Sequence, residues 1–427
     1  MAAVNKAGGF AIGWLPRNGL KLGLISCLAV HGVCLAAGPD DHAGQPTAKP
    51  HDMANMWKAS LARQPIAVSA AFDSQGKLWL ASAKDGHVMV SYSGDHGKTF
   101  SAPVAVNSET EFIAAEGENR PKIMVSANGS IYVSWTQSLE TPFSGNVRFS
   151  RSVDGGKSFS PPVTVNDNHD PFTHRFDAMG INARGQIYIA WLDKRDAAAA
   201  NKDGKKYSGI AVYYSFSDDE GKNFKANSKA ADHSCECCRI AMAMDTDGYP
   251  VIAWRNIYES NIRDHALVKL DGKMAPVRLS HEEWNIAACP HHGPSISIAA
   301  DGVYHATWFS NAPQRHGLFY AYSSDQGKTF SPPLGFGNFE AQAAHPFVLS
   351  MGSSVYLAWK EFDGASTGLL GMHSGDGGKS WTAPIRLAGT SDVADNPMLI
   401  SDQGRAFLSW NTLREGYRLI EISGAYQ

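Results

Sequence analysis

The sequence predicts an all-β fold, a seven-bladed β-propeller with six blades as the alternative count. Three observations lead there. First, a strand-like alternation ending in tryptophan recurs as GSIYVSW (to Trp135), GQIYIAW (to Trp191), GYPVIAW (to Trp254), GVYHATW (to Trp308), SSVYLAW (to Trp359) and GRAFLSW (to Trp410). An earlier copy, GKLWLAS at residues 76–82, lacks the terminal tryptophan. A period of roughly fifty residues with period-two alternation is what one four-stranded blade per repeat produces. Second, a turn motif interleaves with these strands: SGDHGKTF, SVDGGKSF, SDDEGKNF, SSDQGKTF and SGDGGKSW, carrying Asp95, Asp154, Asp219, Asp325 and Asp376. Each aspartate can bond the backbone of its own turn, the following glycine permits a left-handed residue, and the closing Phe or Trp packs between sheets. Third, 41 glycines and 21 prolines suit many short strands joined by tight turns.

The elements follow in order. Residues 1–37 read as an export signal: Lys6, Arg17 and Lys21 precede an apolar run, and small residues surround Ala36-Ala37. Leu24-Ile-Ser-Cys27 resembles a lipoprotein cleavage box but comes too early in that run, so cleavage without lipidation is expected. Residues 38–64 form an N-terminal segment in which Met56–Ala62 resembles an outer strand and could close the ring. Residues 65–427 form the propeller. Six of its segments carry four strands, and the last, from Asn396 to Ser423, carries three. Asp271-Gly272, midway across the double gap from Asp219 to Asp325, is a decayed copy of the turn motif.

Composition narrows the function classes. A net charge of −3 with no basic block gives no reason to expect nucleic acid or an anionic membrane surface. Beyond the leader no segment has the ~18 apolar residues of a membrane span. The expected location is periplasmic or secreted, in an oxidising compartment.

The segments before the inner strands concentrate the unusual chemistry on one face: Arg120; His174, Arg175 and Asp177; Arg239; Cys289, His291 and His292; and His345. Cys235-Glu-Cys237-Cys238 lies on one such connection and Cys289-Pro-His-His on the next. Cys235, Cys237, Cys238, Cys289, His291 and His292 therefore form a candidate metal set. It is soft enough to select copper(I) or zinc, with His174, Asp177 and His345 as additional candidates and His51, Met53 and Met56 as further soft groups. Two other readings stay open: a disulfide from Cys289 to one of the triplet, and a redox-active thiol–disulfide pair. A small ligand, a metal ion or a glycan is the expected partner of this face.

The five aspartate turns are Asp boxes, and the chain from about residue 65 resembles the sialidase-like, BNR-repeat propellers. That resemblance implies hydrolysis of terminal sialic acids, with three arginines on the substrate carboxylate, a Tyr–Glu nucleophile pair and an aspartate as acid/base. The family's Phe-Arg-Ile-Pro motif has its nearest counterpart in Ala62-Arg63-Gln64-Pro65, and Arg120, Arg175 and Arg239 are the other arginines it would recruit. These three begin consecutive blades and no Tyr–Glu pair stands out, so sialic acid release is expected to be absent or marginal. Pairing of the arginines with Asp177, Asp193 or Asp196 of neighbouring blades is expected instead. A protein- or ligand-binding scaffold is the third reading.

Overall fold

A computed structural model describes residues 65–426. They form seven antiparallel sheets arranged as a β-propeller. Five sheets are four-stranded meanders. The second blade adds a short strand, Phe112–Ile113, and the seventh has three described strands, ending at Gly416–Glu421. The proposed closing strand at Met56–Ala62 and Arg63 lie outside the described residues. No helix among the described residues is long and apolar enough to cross a membrane.

The recurrent tryptophans explain why sheets pack face to face. Trp135, Trp191, Trp254, Trp308, Trp359 and Trp410 are fully buried. Each indole N–H keeps a partner: Glu111, Asp193, Asn256, Glu282 and Glu361 side chains and the Asp395 carbonyl. Burying so large a ring favours folding only when its N–H is satisfied, and here every one is. The apolar core is accordingly divided into wedges between consecutive blades. Between blades 7 and 1, Phe72 meets Phe407 at 5.3 Å and Phe100 meets Tyr417 edge-on at 5.8 Å. Asn411 also donates to the Ile66 carbonyl there.

The aspartate turns repeat one hydrogen-bond pattern. In the second blade Ser152 donates to Asp154, whose carboxylate accepts from the Lys157 and Ser158 backbone and from the Ser158 hydroxyl. Asp95, Asp325 and Asp376 likewise accept from the backbone and hydroxyl of the residue four positions on, and Asp219 from the Asn223 backbone and side-chain amide.

Strand register fixes the two faces. In the third blade Arg175 pairs with Leu192 and Leu192 with Val212, while Ile181, Ile187 and the turn residue Ser217 are level at the opposite end. Asn128, in the inner hairpin turn of blade 2, donates to Glu220 in the aspartate turn of blade 3. Hairpin turns and aspartate turns thus share one rim, and Arg175 lies on the other.

Candidate functional site

The face carrying the blade connections holds two adjoining polar clusters. The first is built on the connection between the strands Ser228–Ser234 and Ala241–Met244. Cys235 N–H donates to the Arg255 carbonyl at 2.8 Å, and Ile257 N–H to that of His233, so this loop is zipped to the segment after Trp254. The tight turn that follows sends Glu236 to solvent and buries Cys235, Cys237 and Cys238. Their sulfurs lie within 4.8 Å of one another. Cys235 is 3.8 Å from Cys237 and 3.9 Å from Cys238. Cys289, from the next connection, is exposed as a residue, and its thiol acts on the ionisation of Cys235 and Cys237. All four are free thiols.

Arg263 donates from Nη1 to the Cys235 sulfur at 3.1 Å. The other three thiols, with that guanidinium, hold Cys235 well below the ordinary thiol range. The Cys235 thiol, with burial, pushes Cys289 up to about 12, and it also raises Cys237. Burial, and then the Cys235 contact, raise Cys238. Cys235, the thiol beside the Arg263 guanidinium, is thus the one from which a proton is most easily lost.

The second cluster centres on Glu118, a buried residue just before the inner strand of blade 2. Its carboxylate accepts from Arg239 N–H at 3.2 Å, from Gly293 N–H at 2.8 Å and from His345 Nδ1 at 3.1 Å, and pairs with the Arg239 guanidinium at 3.5 Å. Four blades thus converge on one carboxylate. His345 sits at a β-bulge with φ 52°, and its ring stacks on His292 at 4.5 Å. Burial, with Lys360 and Arg239 nearby, lowers His345 to about 4 despite Glu118, and burial also lowers His292.

The candidates read from sequence separate as follows. Cys235, Cys237 and Cys238 come together, with Cys289 exposed on the neighbouring connection. His292 turns instead toward His345 and Phe309, on which it stacks at 4.2 Å, and His291 is exposed. His174 bonds the Gly145 carbonyl through Nδ1 at 2.9 Å and lies beside Asp193, which fixes a loop. Asp177 accepts from Ser134, Thr136 and Lys122 between blades 2 and 3. The arginines pair between blades, but with different partners from those expected. Arg120 grips Asp395 at 2.7 and 2.8 Å, Arg175 bonds Glu116 at 2.6 Å, and Arg239 pairs with Glu118. Asp193 is already held by Trp191 and Arg195, and Asp196 by Tyr213. Glu118 and Arg263 had drawn no attention in the sequence. Glu118 stands in a stretch noticed only for Arg120, and no spacing marks Arg263.

No family model and no curated protein matches this chain. Among solved structures it is similar to the polysaccharide lyase Uly1, with a TM-score of 0.52 and 9% identity over 85% of this chain and 91% of that one. An ulvan lyase of family PL25, bound to a GlcA–Rha3S unit, aligns with a TM-score of 0.51 and 10% identity, over 84% and 92% of the two chains. The Hadza microbial sialidase Hz136 aligns at 0.47 and 13% over 78% and 74%. The two lyase likenesses, at such identities, speak for the fold alone and leave the chemistry to the residues.

Proposed function

We propose that the protein is a metal-binding β-propeller in which Cys235, Cys237, Cys238 and Cys289 hold one soft cation, copper(I) or zinc. One observation carries the reading. Thiolates at about 2.3 Å from a common tetrahedral centre stand about 3.8 Å apart, and Cys235 stands 3.8 and 3.9 Å from Cys237 and Cys238. The donor set fits the ion: sulfur ligands select copper(I) and zinc over hard cations. Arg263 offsets part of the negative charge of a four-thiolate centre, as an outer-shell partner does. Export to an oxidising compartment, expected from the leader, adds a reason: free thiols at this distance would oxidise there unless a metal held them.

The five aspartate turns support placing the propeller among the sialidase-like, Asp-box folds. A glycan at the central face is compatible with the carbohydrate-active propellers it resembles. Sialidase chemistry is not our reading, because Arg120, Arg175 and Arg239 each spend their charge on a neighbouring carboxylate.

The test is metal analysis of the full chain purified without chelator and after reconstitution with copper(I) or zinc. One equivalent is expected, lost in Cys237→Ser while the far-ultraviolet spectrum stays unchanged. Metal-free protein after both reconstitutions would defeat the reading.

A further inference from the structure

The opposite rim carries an irregularity that the thiol site does not explain. Where an aspartate turn is complete, it closes the seam to the preceding blade. In four of the five complete turns the glycine approaches so near that an added methyl group would collide, Gly156 with Trp79 at 2.6 Å, Gly221 with Phe149, Gly327 with Leu267 at 2.8 Å and Gly378 with Tyr320, while Gly97 meets Leu419 at 3.4 Å. The aromatic residue three positions later then covers the same neighbour. Phe224 meets Phe149 edge-on at 5.0 Å and Trp381 meets Tyr320 at 4.8 Å. Phe149 and Tyr320 are consequently buried. Each stands three residues before the serine that opens its own blade's turn. Tyr214 occupies that position in blade 3.

The turn that should cover Tyr214 is the decayed one, Asp271-Gly272-Lys273-Met274-Ala275. Gly272 directly follows its aspartate, as Gly155 and Gly377 do in complete turns, and like them has nothing within 4 Å of an added methyl group; the decayed turn is one residue shorter, and Ala275 stands where the complete turns have Phe or Trp. Met274 packs into the next seam, between blades 4 and 5. An open groove of about 460 Å³ results. Tyr188, Tyr214, Phe216 and Tyr249 line it, with Arg184 and Asp271 at its edges. Tyr188 and Phe216 stack at 5.3 Å, Arg184 lies over the Tyr249 ring at 5.8 Å, and Tyr249 is partly exposed.

We propose that this groove is a carbohydrate-binding subsite for a single pyranose ring, remote from the thiol cluster and independent of it. Its volume lies in the range of small-ligand sites. Aromatic faces take the apolar C–H face of a sugar, and Arg184, Gln186, Asp271 and the tyrosines of the lining supply polar groups for its hydroxyls. A purely apolar occupant such as a phenylalanine side chain would cover those polar groups without bonding them, which is costly.

The test is saturation-transfer NMR of the full chain with the methyl glycosides of β-glucose, β-galactose and α-mannose at millimolar concentration. At least one is expected to receive saturation, strongest at protons of one ring face. Tyr249→Ala removes an exposed platform and should weaken that sugar about fivefold. Ala275→Phe restores the missing cover and should abolish the signal while leaving thermal stability equal or higher. Absence of saturation for all three sugars in the wild-type chain overturns the proposal. So does a signal unchanged in both variants, which would place the sugar elsewhere.

Discussion

Arg263 places its guanidinium 3.1 Å from the sulfur of Cys235, the thiol that Cys237 and Cys238 approach to 3.8 and 3.9 Å. A charge-assisted hydrogen bond of this kind contributes about 1.5–3 kcal/mol, and 1.36 kcal/mol corresponds to one pKa unit. The cation favours the thiolate, so its removal moves the titration upward. In metal-free Arg263→Gln the first thiol to ionise, followed by thiolate absorbance, should titrate about one unit or more higher than in the wild type. Protons then compete better with metal, and affinity near neutral pH should fall. An unmoved titration curve would show that the guanidinium does not act on the cluster.

Arg120 and Asp395 join blades 2 and 7 across the inner end of blade 1, with both side chains almost wholly buried. Arg120 also donates to the Val68 carbonyl, and Asp395 accepts from Val68 N–H. The pair therefore clasps the blade at which the ring closes. Removing one partner of a buried pair leaves an uncompensated charge and costs about 3–5 kcal/mol, whereas an apolar replacement of both is often near neutral. Arg120→Met should lower the denaturation midpoint sharply, and Arg120→Met with Asp395→Leu should recover most of the loss. A double variant as unstable as the single one would mean that the charge itself is not what matters.

How much of this could be read in the sequence depends on how local each interaction is. The aspartate turns bond residues four positions apart, and the tryptophans recur at one place in every blade, so both were visible as repeats. The closeness of Cys235, Cys237 and Cys238 is local to one connection and legible as a triplet. The ion pairs are not. Arg120 and Asp395 are 275 residues apart, and Glu118 and His345 are 227. Which of several carboxylates meets a given arginine at the axis depends on side-chain reach after the ring has closed. The histidines diverge for a similar reason. His291 and His292 are adjacent to each other and near Cys289, yet one points to solvent and the other stacks on Phe309.

His345 makes the axial cluster sensitive to acid. Burial holds it at about 4, against 6.5 for the free side chain, with Glu118, Arg239, Lys360 and His292 around it. Between those values the unfolded chain binds a proton that the folded chain does not, so stability falls as pH drops from 6.5 to 4. The full contribution is about 3 kcal/mol. His345→Gln keeps an N–H for Glu118 but cannot titrate. Denaturant unfolding near neutral pH and again at about pH 4 should show the variant losing less than the wild type by about that amount. Equal losses would assign the acid sensitivity to other groups, such as His292 and His265, which burial also depresses.

The aspartate turns of blades 3 and 4 each carry a glycine in the same backbone conformation. Gly221 has φ 79° and Gly272 φ 73°, so alanine at either position incurs the left-handed penalty of about 1–2 kcal/mol. The difference lies in what surrounds them. A methyl group on Gly221 drives into the Phe149 ring, whose other neighbours are the packed Tyr132 and Phe224, while one on Gly272 meets nothing. Overpacking of a filled seam adds about 1–3 kcal/mol. Gly221→Ala should therefore be more destabilising than Gly272→Ala by that increment, measured by denaturant unfolding at one pH. Equal costs would mean that the seam around Phe149 yields to the added methyl group without loss.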